Sequence, residues 1–328
     1  MKRRFTRRLS SVLAAIATAA LVLAGCSSTG GAQEEQAALD TPEYQIAMIT
    51  HAEPGDTFWD IIRKGAEAAA QKSNIDLQYA SSPEASQQAT LVDNAIDQDV
   101  DGIALTLATP SAMKGVVQRA NNAGIPVIAF NSGIDDWEEV GAMSYYGTDE
   151  TLAGTAFGKR LNDEGAKHAL CVVQSQGQVA LEERCQALKD SFNGKTTKIY
   201  VNGEDMTSVQ STLEAKLQAD SSIDYVATLG APYALTALDS VKSAGSKAEV
   251  ATFDTNEQLV SKIKDGSVNF AVDQQPYLQG YLTVDAFWLY LSNGNFAGGS
   301  KEPVLTGPAF IDQSNVDTVV KYAQKGTR

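Results

Sequence analysis

Residues able to hold a metal through nitrogen or sulfur are scarce: three cysteines and two histidines in 328 residues. His51 and His168 stand far apart with no ligand spacing around either, which argues against a metal site. Catalytic signatures are missing too, since no G-x-S-x-G elbow, H-E-x-x-H helix or dinucleotide fingerprint occurs. Neither a cofactor nor an enzymatic activity is expected. Basic side chains are outnumbered, 26 Lys and Arg against 40 Asp and Glu, and the net charge of −14 makes nucleic acid and anionic lipid poor partners. The apolar run over residues 9–23, about fifteen residues, is too short for a spanning helix.

That run instead has the length of a signal core. Lys2, Arg3, Arg4, Arg7 and Arg8 precede it, and it closes on Leu23-Ala-Gly-Cys26. The order resembles a bacterial lipoprotein signal, with residues 1–25 removed and Cys26 carrying the lipid. Residues 26–42 are Ser-, Gly-, Ala-, Gln- and Glu-rich without periodicity and read as a flexible tether. Five basic side chains leave with the leader and no acid does, so the mature chain carries about −19. The expected product is exported and lipid-anchored to the outer face of the cytoplasmic membrane, or periplasmic.

With Cys26 taken by lipid, Cys171 and Cys185 remain in an oxidising compartment, where an even pair suggests a disulfide; two buried thiols are the alternative.

From residue 43 short apolar runs alternate with amphipathic stretches. Strands are expected over 45–50, 75–79, 102–107 and 126–130, with helices over 58–73, 86–98 and 111–123 between them. After a link through 142–146 the alternation restarts. Helices at 150–162, 180–192, 206–219, 233–244, 257–264 and 276–293 are interleaved with strands at 169–174, 197–201, 225–229, 249–253 and 267–272. Two short extended runs, 304–306 and 309–311, precede a last helix over 314–324. Such alternation argues for parallel sheets covered on both faces. The remaining residues, about 285, exceed what one core usually organises, so the expected class is α/β with two doubly wound lobes.

Two near-motifs fail. Gly154-Thr-Ala-Phe-Gly158-Lys159 is one residue short of a phosphate loop, has Arg160 where a Ser or Thr belongs, and reads as helix interior. Ser111-Ala-Met-Lys114 fits S-x-x-K without its companion elements. An exported serine hydrolase built on that pair is the weakest alternative.

The chemistry gathers instead at strand ends. Asp56-Thr-Phe58-Trp59 follows the first strand, where Asp56 or Thr57 caps the next helix. Phe130-Asn131-Ser132, Phe253-Asp254-Thr255 and Asp273-Gln274-Gln275 follow later ones. Ligands of open α/β sheets bind beyond the carboxyl ends of the strands. Amides, carboxylates and aromatic faces with few cations suit a neutral polyhydroxylated ligand.

These residues, with Ile125-Pro-Val-Ile-Ala-Phe-Asn131, Gly147-Thr-Asp149-Glu, Leu181-Glu-Glu-Arg184-Cys185 and Asp273-Gln-Gln-Pro276, resemble the ribose-binding type of periplasmic sugar-binding protein, the type I solute-binding component of ABC transporters. The likeness runs from about Tyr44 to Gln324. It implies two Rossmann-like lobes joined by a three-segment hinge: 43–147 with 275–303, and 148–274 with 304–328. It also implies that Phe58 and Trp59 sandwich a sugar, with Asp56 beside them, and that Asn131, Ser132, Asp149, Asp254 and Gln274 supply hydrogen bonds. Ser132 stands where relatives carry an arginine and Gly230 where an asparagine is usual; Glu182 or Glu204 falls at positions of an arginine and an aromatic. Arg184 either supplies the missing cation or braces its helix. The function implied is capture of a neutral sugar or sugar alcohol by a monomeric receptor and delivery to a membrane permease. A receptor of the same fold serving a sensor kinase or chemoreceptor is the alternative.

Overall fold

The computed structural model describes residues 42–53 and 55–328. The expected signal segment, Cys26 and the tether up to residue 41 lie outside them. In chain order the first part runs β1 (Tyr44–Thr50), α1 (Thr57–Ser73), β2 (Ile75–Ser81), α2 (Ala85–Asp97), β3 (Gly102–Thr106), α3 (Pro110–Asn122), β4 (Val127–Phe130), α4 (Trp137–Val140) and β5 (Ser144–Gly147). The second runs α5 (Glu150–Glu164), β6 (His168–Val173), α6 (Val179–Ser191), β7 (Lys195–Tyr200), α7 (Met206–Ala219), β8 (Tyr225–Thr228), α8 (Ala231–Ser243), β9 (Glu249–Phe253), α9 (Glu257–Lys264) and β10 (Phe270–Asp273). Then come α10 (Pro276–Asn293), β11 (Val304–Leu305), β12 (Ala309–Asp312) and α11 (Val320–Ala323).

Two six-stranded sheets result, ordered β11-β5-β4-β3-β1-β2 and β12-β10-β9-β8-β6-β7. All pairings are parallel except β10 with β12. Apart from the last edge strand the orders are the same, so each lobe is a doubly wound unit with a switch point between its first and third strands. Central strands such as β3 (GIALT) and β6 (HALCVV) are buried throughout, as parallel strands covered on both faces must be. Edge strand β7 (KTTKIY) is partly exposed.

The chain crosses between sheets three times: after β5, after β10, and between β11 and β12. Helix α10 returns to the first lobe and lies on α1. Gly65 and Gly280 permit that approach, for a Cβ on either would stand 2.0 Å from a backbone carbonyl oxygen of the other helix. The resemblance put the third crossing near residue 303. Strand β11 keeps Val304–Leu305 in the first sheet, so the crossing falls at 306–308.

Other differences are local. Residues 144–146 of the expected link belong to strand β5, because Ile128, Ala129 and Phe130 pair with Ser144, Tyr145 and Tyr146. The helix expected over 314–324 is broken into a 3-10 turn, Val316–Thr318, and α11. The amide of Asp312 donates to Oδ1 of Asn315 and the amide of Ser314 to Oδ1 of Asp312, which turns the chain there. Cys171 and Cys185 are disulfide-bonded, Cα to Cα 6.1 Å, within the core between β6 and α6.

Candidate functional site

Residues beyond the carboxyl ends of β1, β4, β6, β8, β9 and β10 enclose a cavity between the two lobes. Its empty volume, mouth included, is about 650 Å³. The lobes touch across it, the amide of Val179 donating to the carbonyl of Ala108 at 3.1 Å.

Asp56, Phe58 and Trp59 line the cavity from the start of α1. Asp56 is also the helix N-cap, accepting from the amide of Phe58 at 3.0 Å. Trp59 is 7% exposed and meets Phe58 edge to face at 5.3 Å, with interplanar angle 88°. Adjacent rings at right angles make a corner, so the expected sandwich of a sugar between these two rings is not the geometry found.

Asn131 and Asp254 occupy corresponding positions, one residue beyond β4 and β9, and both adopt the left-handed conformation, φ 66° and 63°. Asn and Asp tolerate that region better than other side chains with a Cβ. Asn131 donates to Oε1 of Gln279 at 3.0 Å. Asp254 is 4% exposed; its Oδ2 accepts from Nε2 of Gln274 at 2.8 Å and its Oδ1 has no partner among the described residues. Burial pushes the Asp254 carboxyl well above the usual carboxylate range, against the pull of Arg184.

Arg184 lines the cavity and also braces α6 against α5. It reaches the cavity from α6, lies 4.7 Å over the ring of Phe253, and donates to Gln274. Two of its nitrogens grip the fully buried carboxylate of Glu150, Nε on one oxygen and Nη2 on the other. Burial works against its charge, but Glu150 outweighs that and keeps the guanidinium ionised.

Ser132 and Asp149 are not among the cavity residues. Ser132, in the loop after β4, is fully buried. Asp149 caps α5, accepting from the amide of Leu152 at 2.7 Å. Glu150, one residue on, is the acid turned inward. Glu182 binds Lys198 and Tyr200 at the edge of the second sheet, and Glu204 is likewise outside the lining. Gly230 does line the cavity, and a Cβ there would lie 3.2 Å from the ring of Tyr233, which takes up that space.

Sequence reasoning passed over His51, Glu53, Gln174, Ser175, Gln178 and Tyr233. Most stand at strand ends, the signal that located the others. His51 is buried against Thr106, its Nδ1 2.7 Å from Oγ1. Burial, then the charge of Arg184, lowers its pKa to about 3, so the ring is neutral. Burial first, then the nearby charges of Asp56 and Glu204, raise the pKa of Glu53. Oε1 of Gln174 is buried without a partner among the described residues. The wall thus carries Glu53, Asp56 and Asp254, while the charge of Arg184 is matched by Glu150. No group of His, Cys, Asp and Glu among the described residues is arranged to hold a metal. The near-motifs carry nothing: Lys114 is paired with Glu139 at 2.7 Å, and 154–159 is interior to α5, where Gly154 lets α6 approach.

A family model for the periplasmic binding protein domain matches residues 46–295. A crystal structure of a carbohydrate transporter from Acidothermus cellulolyticus 11B, in complex with myo-inositol, is 54% identical, with 88% of this chain and 100% of that one covered and a TM-score of 0.86. The xylose/arabinose-binding protein XylF of Sulfolobus acidocaldarius is 27% identical over 319 residues, covering 89% of this chain and 78% of its own length. The ribose import binding protein RbsB of Bacillus subtilis is 28% identical over 236 residues, covering 70% and 76%.

Proposed function

Because the chain belongs to the periplasmic binding protein domain family, we propose that its cavity captures a neutral polyol of the inositol class for an ABC importer. The matched family and relatives are sugar-binding transport proteins rather than enzymes, and the family works outside the cytoplasm. The observation that carries the reading is an excess of hydrogen-bond acceptors. Asp254 Oδ1 and Gln174 Oε1 are buried in the wall without partners, beside the carboxylates of Glu53 and Asp56. A hydroxyl-rich ligand donates to all of them. A phosphate or carboxylate brings only more acceptors, and Arg184, the cation in the lining, is already paired with Glu150. Myo-inositol bound by a protein 54% identical points the same way.

On this reading Asp56, Asn131, Asp254 and Gln274 bind ligand hydroxyls, and the corner formed by Phe58 and Trp59 receives the C–H face of the ring. Rotation of the lobes about the three crossings opens and closes the cleft. We further propose that Cys26 carries a lipid anchor and that the closed form docks on a membrane permease.

Calorimetric titration with myo-inositol, alditols, pentoses, hexoses and a sugar acid tests the site. Binding of a neutral polyol and rejection of the acid are expected. Binding of no neutral compound, or preference for the acid, overturns the reading. Incorporation of labelled fatty acid, lost in Cys26→Ser, tests the anchor.

A further inference from the structure

The segment from residue 316 onward is built on the second lobe, where Val316, Val319 and Ala323 are buried in its core. It does not stay there. Nζ of Lys64, on α1 of the first lobe, donates to the carbonyl of Lys325 at 3.2 Å. Arg328 then reaches the second crossing. Its Nη2 stands 2.6 Å from Oδ2 of Asp273, and its Nη1 donates to Oε1 of Gln275 at 2.9 Å.

Asp273 is the last residue of β10 and is fully buried. A carboxylate there stays ionised only with a cation beside it. Its other oxygen accepts from the amide of Gln275 at 2.8 Å, holding Gln275 in the left-handed region at φ 57°. Gln275 in turn donates through Nε2 to the carbonyl of Thr306 in the third crossing. Thr306 Oγ1 donates to the carbonyl of Gln274 at 2.8 Å. Gln279 Nε2 is 3.2 Å from Thr306 Oγ1, and its Oε1 accepts from Asn131. The side chain of Gln274 itself joins Arg184 to Asp254 in the cavity wall.

We infer that Arg328 is a positioning residue for ligand capture. By pairing with Asp273 and Gln275 it clamps the second crossing, and through it the third, in the conformation that presents Gln274 to the cavity. It touches no ligand. It acts through Asp273, whose buried charge would otherwise force the crossing to protonate or rearrange. The inference rests on the cavity being the polyol site, but the clamp itself has a ligand-free readout.

The test compares wild type with Arg328→Ala, Arg328→Lys and the double variant Arg328→Ala/Asp273→Asn. Asparagine removes the unpaired charge while keeping an acceptor for the amide of Gln275. Backbone hydrogen exchange across residues 273–282, measured without ligand, is expected to quicken in Arg328→Ala while exchange in β6 does not change. The Kd for myo-inositol is expected to weaken about tenfold, and the double variant to recover most of that loss. Should Arg328→Ala not fold, Arg328→Lys, which keeps the charge but loses the fork to Gln275, is expected to show both effects in smaller measure. Unchanged exchange at 273–282 overturns the clamp whatever the ligand result. An affinity within about twofold of wild type alongside a lowered Tm makes Arg328 structural only. Failure of wild type to bind myo-inositol or any polyol counts against the cavity reading, and the exchange measurement still decides the clamp.

Discussion

Glu150 and Arg184 form a buried ion pair between the start of α5 and the middle of α6, and the same guanidinium donates to Gln274 at the second crossing. The core of the second lobe, the second crossing and the cavity wall therefore meet at one side chain.

Glu150→Gln removes the charge that offsets Arg184. Breaking a buried pair from one side typically costs about 3–5 kcal/mol. Urea unfolding of this variant is expected to show a loss of that order. Arg184→Met with Glu150→Leu is expected to lose much less stability yet to bind ligand poorly, since the donor to Gln274 is gone. A single variant as stable as wild type would refute the pairing.

Trp59→Ala and Asp254→Ala are both expected to abolish the rise in Tm produced by ligand, for different reasons. Trp59 packs on His51 at 4.7 Å and belongs to the first lobe's core, so its loss also costs about 3–5 kcal/mol in the free protein. Asp254→Ala removes a buried oxygen that has no partner among the described residues, but it also takes the acceptor from Nε2 of Gln274 and sets Ala at φ 63°, so a loss of about 1–3 kcal/mol is expected in the free protein. An Asp254→Ala protein that still shows the full ligand shift would remove this residue from the site.

Glu183 on α6 is raised to about pKa 7 by burial first, then by Asp135, Glu150 and Asp136. Its ordinary value is 4.5, so the folded protein holds the proton more tightly than the unfolded chain does. The resulting stability is full below pH 4.5 and is lost as the pH rises to 7. His51 works in the opposite sense: lowered from 6.5 to about 3, it contributes above pH 6.5 and loses that contribution as the pH falls. Glu183→Gln removes one of the two opposed slopes. The difference in Tm, variant minus wild type, is expected to grow from pH 4.5 to 7 and then level off. A difference independent of pH would show that Glu183 titrates normally.

The disulfide closes a separation of 14 residues. In the loop-entropy account that is worth about 3 kcal/mol. Reduction is expected to lower unfolding free energy by that order while leaving ligand affinity nearly unchanged, because neither cysteine lines the cavity. A large loss of affinity on reduction would mean that the pair also holds Arg184, its neighbour on α6, in place.

Much of the architecture is legible without coordinates. Apolar runs such as Ile103-Ala-Leu-Thr106 and Leu170-Cys-Val-Val173 can be buried on two faces only as central parallel strands, and the amphipathic stretches between them must then cover those faces. Two sheets follow from the number of such runs. The repeated Phe130-Asn131-Ser132 and Phe253-Asp254-Thr255 mark the same strand end in each sheet, which is why Asn131 and Asp254 were findable. The broken terminal helix was less legible, because Asp312 and Asn315 offer the backbone a turn that competes with helix on nearly equal terms.

What composition and order determined is which loops meet: strand ends carrying Asp56, Phe58, Trp59, Asn131, Asp254 and Gln274 have to converge once the sheets are wound. What only the tertiary structure decided is which neighbour in each loop faces inward. One residue turns a helix by about 100°, so packing alone chose Glu150 over Asp149, set Phe58 and Trp59 at right angles, and left Ser132 out of the cavity lining. Long-range pairs such as Arg184 with Glu150 and Arg328 with Asp273 were decided there too, for they join residues that no local pattern relates.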